Sequence, residues 1–156
     1  MHVALINAPV AKRSPHARLA PPLGLAYLGA VLLREGHEVS AIDFNVSGLN
    51  WRRVDRLVES GPEVVGISAH TETYPNALEI ARRVKALNPK AAVVLGGPHP
   101  TLLPEGVLAE EAVDFVVLGE GEETLLELIE TLAGEGKDLA EIKGLGYKEG
   151  GALRIN

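Results

Sequence analysis

The chain has 156 residues, the length of one domain that buries roughly two thirds of the surface its unfolded form exposes. Hydrophobic residues make up 46% and charged residues 23%, which excludes a disordered chain, and the net charge of −6 opposes a polyanion such as DNA or RNA. There is no cysteine, so disulfides, thiolate zinc sites, iron–sulfur ligation and a cysteine nucleophile are all excluded within it.

Other classes fall away in turn. The most basic local run, Lys12, Arg13, His16 and Arg18, is too short to form a nucleic-acid stripe, and no aromatic stacking platform accompanies it. Apolar runs are short and broken by glycine, well under the roughly 20 residues a membrane span needs. The first residues lack the basic and long apolar segments of a signal peptide, so a cytoplasmic location is expected.

Strand and helix patterns alternate regularly. Val3-Ala4-Leu5-Ile6 reads as a first strand stopped by Pro9, followed by a long loop of the kind that often carries function. Pro21-Pro22 opens a helix in which Leu25, Leu28, Gly29 and Leu32 recur at helical spacing, and Gly36 ends it. Val39 to Phe44 is a second strand, and a helix bearing Val54, Leu57 and Val58 stops at Gly61-Pro62. Val64-Val65-Gly66-Ile67 does not alternate, as expected of a strand covered on both faces.

The next helix places Ala77, Ile80, Ala81, Val84 and Leu87 on one face. Ala91 to Leu95 is a fourth strand, Leu103 to Glu111 a short helix and Phe115 to Leu118 a fifth strand. A last helix buries Leu125, Leu128, Ile129 and Leu132. The expectation is an α/β fold: a flavodoxin-like, doubly wound parallel sheet of five strands in the order 2-1-3-4-5, over residues 1–135. The segment 142–156 reads as a C-terminal β-hairpin turning at Gly150-Gly151 and packing on one sheet edge. No repeat or second domain is visible, so 1–156 is expected to be a single domain.

Nearly every strand ends in small or turn-prone residues: Ile67-Ser68-Ala69, Leu95-Gly96-Gly97-Pro98-His99-Pro100-Thr101 and Leu118-Gly119-Glu120-Gly121-Glu122. The carboxyl ends of an open parallel sheet line the ligand crevice, and residues without bulk let a large ligand approach the backbone. The pattern points to one extended ligand lying across several strand ends. Dinucleotide and P-loop fingerprints are absent after the first strand, which continues Asn7-Ala8-Pro9. Ser68 stands where a receiver domain would place its phosphoacceptor aspartate, and no Thr/Ser/Gly-rich flavodoxin phosphate loop is present.

Five segments in register carry a resemblance: Pro21-Pro22-Leu23-Gly24-Leu25-Ala26-Tyr27-Leu28-Gly29-Ala30, Gly36-His37-Glu38-Val39, Gly66-Ile67-Ser68, Gly96-Gly97-Pro98-His99-Pro100-Thr101 and Gly119-Glu120-Gly121-Glu122, with Ile142 to Tyr147 closing the set. Together they resemble the cobalamin-binding domain of cobalamin-dependent radical SAM enzymes, over essentially the whole chain. The resemblance implies cobalamin as cofactor, with its dimethylbenzimidazole tail inserted among the strand ends. It implies that Ser68 hydrogen-bonds the tail, that Gly96 and Gly97 leave room for it, and that Gly119 and Gly121 flank its far side. Leu23 at the crevice mouth, His70 and Thr71 after the third strand, His99 in an extended loop facing the crevice, and Glu120 complete the implied cofactor-binding set.

Glu120, Glu122 and Glu123 have the simpler role of favouring a helix N-terminus, and Tyr27 and Trp51 that of packing or facing a partner. Corrinoid carriers place Asp-x-His-x-x-Gly after the first strand, whereas His16 here has Ser14 two residues before it and Leu19 three after. An exposed loop imidazole is the expectation there, and no metal ligand is assigned. By the same resemblance, a radical SAM barrel in cis would bring a 4Fe-4S cluster and S-adenosylmethionine, so the chain is expected to be the amino-terminal part of an enzyme that is often a methyltransferase. A free-standing corrinoid carrier, and a non-corrinoid binding module on the same fold, are the rival readings.

Overall fold

The computed structural model describes residues 1–10 and 20–156. β1 (His2–Asn7), β2 (Glu38–Asp43), β3 (Val64–Ser68), β4 (Ala92–Gly96) and β5 (Phe115–Val117) run parallel. They are followed in turn by helices that return the chain over one face or the other. α1 (Leu23–Arg34) begins directly after Pro21-Pro22, and α3 (Trp51–Glu59) is capped by the Asn50 side chain, which accepts from the Arg53 N–H. α4 (Tyr74–Leu87) carries proline in its first turn, and α7 (Glu122–Leu132) begins with two carboxylates at its positive end.

The sheet is wider than the five strands expected. After a 3-10 turn (Leu139–Glu141), β6 (Leu145–Glu149) and β7 (Ala152–Ile155) form the hairpin, and β6 pairs antiparallel with β5. The result is one mixed seven-stranded sheet in the order β2-β1-β3-β4-β5-β6-β7. The hairpin therefore extends the sheet through the hydrogen-bonding edge that β5 would otherwise present to solvent. Gly150 and Gly151 have φ of 58° and 84°, the doubly positive pair that a tight hairpin turn demands.

Two helical segments also depart from the sequence expectation. Phe44 leaves the second strand and opens α2 (Phe44–Ser47), because the Asp43 carboxylate accepts from the Asn45 N–H and caps a new turn. Instead of one helix from Leu103, the chain forms α5 (Pro98–Leu102) and α6 (Pro104–Leu108). Pro98 and Pro100 read as breakers, yet both lie in the first turn of α5, where helical N–H groups have no partner to lose. His99 is thus helical and buried, not extended.

Burial follows the two-residue alternation of each strand. Ala4, Ile6, Val65, Ile67, Val93 and Leu95 point to one face and pack on Val54 of α3, Ile80 of α4 and Val107 of α6. Val3, Leu5, Val64, Val94 and Val117 point to the other and meet Leu32 of α1 with Leu128 and Ile129 of α7. None of the described helices is long and apolar enough to cross a membrane.

On the outside of the first layer, Arg83 donates through two nitrogens to the two Asp55 oxygens at 2.8 Å, joining α3 to α4 and holding the Asp55 carboxyl below its usual range. Being lowered, that carboxyl contributes its stability above the ordinary carboxylate range and loses it as pH falls through the lowered value. The pair is exposed, so its effect is small. Cutting Leu128, which is fully buried, to alanine is expected to cost about 2–5 kcal/mol in urea unfolding, while the same change at half-exposed Leu132 leaves the midpoint nearly unmoved.

Candidate functional site

The last rung of the parallel sheet reads Asp43, Asn7, Ser68, Gly96 and Val117 across β2, β1, β3, β4 and β5. The rung two residues earlier on the same face is Leu5, Gly66 and Val94. Side chains at i and i+2 share a face, so Gly66 and Gly96 remove two side chains from the sheet beneath α1 and α7. Gly96 leaves open backbone, whereas Gly66 is partly covered by Leu5, whose Cδ2 a Cβ there would meet at 3.1 Å. A slot of about 120 Å³ occupies that space, walled by Leu25 and Leu28 of α1, Leu125 of α7, and Val94 and Val117 of the sheet.

The slot opens at Ser68, Gly97, Gly24 and Leu25 into a wider mouth of about 550 Å³, whose walls add Asn7, Pro21, Pro22, Leu23, Asn45, His70 and Pro98. The inner chamber is apolar and the outer one carries the polar groups. That division matches a ligand with an apolar end and a polar remainder.

Each glycine serves a different purpose. A Cβ on Gly96 would lie 3.6 Å from the Val117 carbonyl oxygen and 3.8 Å from Val117 Cβ, ordinary contacts, so Gly96 is not demanded by the protein's own packing. Gly97 is. Its φ is 98°, and a Cβ there would come within 3.0 Å of the Ala69 carbonyl oxygen and 3.2 Å of Ser68 Oγ. Its missing side chain lets β4 turn tightly against the end of β3, a requirement that stands apart from any room it leaves for a ligand. At Gly121 a Cβ would sit 3.0 Å from Val117 Cγ1 and 3.6 Å from Leu28 Cδ2, closing the slot's far wall.

Of the residues expected from sequence, Ser68, Gly96, Gly97 and Gly121 meet at the slot, and Leu23 and His70 join them at the mouth. Ser68 makes no side-chain hydrogen bond with other described residues, which leaves its hydroxyl at the junction of the two chambers. The remaining four stand off these walls. His99 is 8% exposed, stacks on Tyr74 with ring centroids 4.1 Å apart, and shares a 3.2 Å hydrogen bond between Nδ1 and Thr71 Oγ1. Burial first, then the charge of Glu110, push the Tyr74 hydroxyl above its ordinary pKa.

Thr71 and His99 thus tie α5 to the start of α4 behind the slot. Gly119 lies in the β5–α7 turn, where its N–H donates to Thr101 Oγ1 at 3.0 Å, and Glu120 is exposed beside it. His16, with Lys12, Arg13 and Arg18, lies outside the described residues.

Sequence reasoning left Asn7 and Gly66 out of the site. Asn7 is buried, and its Nδ2 donates to Asp43 Oδ1 at 3.0 Å, which fixes the amide on the mouth wall. Its signal was present as a polar residue closing an otherwise apolar first strand. Gly66 was visible inside a strand pattern, where an isolated glycine marks a close approach. No group of three or more histidine, aspartate or glutamate side chains capable of holding a metal ion occurs among the described residues.

Residues 17–129 match the family model described as the B12 binding domain. The chain belongs to the B12-binding domain family. It is 42% identical over 136 residues to an uncharacterised methyltransferase of Pyrococcus horikoshii, covering 86% of this chain and 29% of that protein. To the cytidylyl-2-hydroxyethylphosphonate methyltransferase of Streptomyces wedmorensis it is 32% identical over 151 residues, covering 85% of this chain and 28% of that one.

Among solved structures, it superposes with a TM-score of 0.84 and 27% identity on the cobalamin-dependent S-adenosylmethionine radical enzyme OxsB, with aqua-cobalamin and S-adenosylmethionine bound, covering 99% of this chain and 22% of that one. The radical S-adenosylmethionine methyltransferase TsrM from Kitasatospora setae, with cobalamin and a 4Fe-4S cluster bound, gives 0.79 and 26% over 97% of this chain and 28% of that one. This chain thus spans less than a third of each of these proteins. The B12-binding domain assignment agrees with the expected cobalamin and favours neither rival reading.

Two substitutions separate the glycines. Gly97→Ala is expected to destabilise the fold by about 1–3 kcal/mol from its backbone conformation alone, with the close contacts adding to that, whereas Gly96→Ala stays within about 1 kcal/mol of the parent; thermal unfolding of the two variants measures both.

Proposed function

We propose that the B12-binding domain holds cobalamin with its benzimidazole nucleotide tail lowered into the slot and its corrin ring over the mouth. The observation that carries this is the apolar slot beneath α1 and α7, open over Gly96 and floored beside it by Gly66 and Leu5. An ordinary sheet covered by helices fills such space with side chains at crystal-like density. Here an apolar chamber of about 120 Å³ persists, reached past one hydroxyl and a polar antechamber.

In this reading Ser68 hydrogen-bonds the benzimidazole at the slot entrance, and Gly96, Gly66 and Gly121 make the room it occupies. Leu25, Leu28 and Leu125 supply the apolar contact that removes the ring from water. Gly97 keeps the β4–α5 turn clear of the entrance. Leu23, Asn7 and His70 face the nucleotide and the lower side of the corrin at the mouth. Thr71, His99 and Gly119 act behind these, by holding α5, α4 and the β5–α7 turn in place, and Glu120 lies exposed beside that turn.

Bound cobalamin supplies a cobalt centre that can carry a methyl group. The described residues bind and orient it, exclude water from its tail and leave the opposite ring face uncovered. We assign the domain to a larger radical SAM enzyme, of methyltransferase type, whose barrel in cis supplies the 4Fe-4S cluster and S-adenosylmethionine. The absence of cysteine from this chain requires the cluster ligands to come from elsewhere. The acidic net charge speaks against nucleic acid, and we place the protein in the cytoplasm.

Mixing the protein with hydroxocobalamin, desalting and recording the visible spectrum tests the reading: bound corrinoid absorbance should co-elute with protein, and a colourless protein fraction overturns it. Gly96→Leu should keep the circular dichroism of the parent and raise the dissociation constant at least about tenfold by filling the slot. Ser68→Ala removes one hydrogen bond worth about 1 kcal/mol, a weakening of roughly fivefold.

A further inference from the structure

The walls of the two chambers carry one imidazole, that of His70, and among the described residues lining them there is no carboxylate, thioether or amine. The other described histidines are committed elsewhere. The Nε2 of His2 bonds to Ser40 Oγ at 2.9 Å, and the Nδ1 of His37 bonds to the Met1 amino group at 3.3 Å. His99 is buried against Tyr74 and held by Thr71. The His70 ring is exposed and makes no hydrogen bond with described residues.

Its backbone, by contrast, is pinned. The His70 N–H donates to Thr73 Oγ1 at 2.9 Å, and its carbonyl accepts from the N–H groups of Thr73 at 3.1 Å and Tyr74 at 2.9 Å. The residue stands two positions beyond Ser68, so the group at the slot entrance and the imidazole on the mouth wall leave the same strand end.

The geometry points to His70 as the axial ligand of cobalt on the ring face from which the tail is withdrawn. This rests on the proposed binding mode. In free cobalamin a benzimidazole nitrogen fills that coordination position, and lowering the tail into the slot vacates it above the mouth. The corrin brings its own equatorial nitrogens, so a single protein side chain completes the coordination and no cluster of ligands is needed. A neutral imidazole is a fitting donor for such a cobalt centre, and a ligand on a pinned backbone loses little freedom on binding. The ligand would come from the β3–α4 connection and not from the segment after β1, where His16 lies.

The protein is loaded with cob(II)alamin and its electron paramagnetic resonance spectrum recorded, unlabelled and with ¹⁵N-histidine incorporated, together with His70→Ala and His16→Ala variants. The expected result is nitrogen superhyperfine splitting that changes from triplets to doublets on histidine labelling, vanishes in His70→Ala and persists in His16→Ala. Retention of cobalamin by His70→Ala on desalting shows that this variant still folds and binds. Bound cobalamin without nitrogen splitting overturns the ligand assignment and leaves the slot reading standing. So does label-sensitive splitting that survives His70→Ala. Splitting insensitive to the label means that the benzimidazole still sits on cobalt, and this overturns both inferences. Failure to retain cobalamin at all does the same.

Discussion

The site depends on a failure of close packing that is written into two rungs of the sheet. Parallel strands buried on both faces are normally lined by branched apolar side chains, and the helices above them settle onto that surface. Where β3 and β4 place Gly66 and Gly96 on the face beneath α1 and α7, the helices cannot follow the backbone down, because Leu32, Leu128 and Ile129 already hold them at full side-chain height. The gap between helix and backbone is the slot. Its depth is set by side chains that are absent, and its width by leucines that are present.

The polar groups are supplied by strand termini. Ser68 and Asn7 occupy the last positions of β3 and β1, where the ladder no longer claims their surroundings. The turn at Gly97 then carries β4 into α5 without covering them. The Asn7–Asp43 hydrogen bond fixes the Asn7 amide, and the Thr73 bond holds the His70 backbone, so part of the mouth is preorganised by the protein's own contacts.

Much of this was legible in the chain itself. Non-alternating apolar runs broken by glycine announced buried parallel strands, and the repeated small residues at their ends located the crevice. What escaped had identifiable physical causes. Pro98 and Pro100 read as an extended loop because proline's tolerance in a first helical turn depends on where that turn begins, which residue type alone does not fix. His99 was consequently placed toward the crevice, although helix formation rotates it onto Tyr74. The width of the sheet was underestimated because a hairpin's pattern reports its own pairing and not the free edge it joins. Gly66 was read as part of a strand, since its emptiness matters only once Leu5 and Val94 stand beside it.

The terminal hairpin has a directional effect. Two successive reversals restore the heading of the first five strands, so β7 points the same way as β5, and Asn156, bonded through its N–H to the Leu145 carbonyl, finishes level with Val117. Asn156 therefore lies at the same end of the sheet as the carboxyl termini of the parallel strands, the end at which the slot opens.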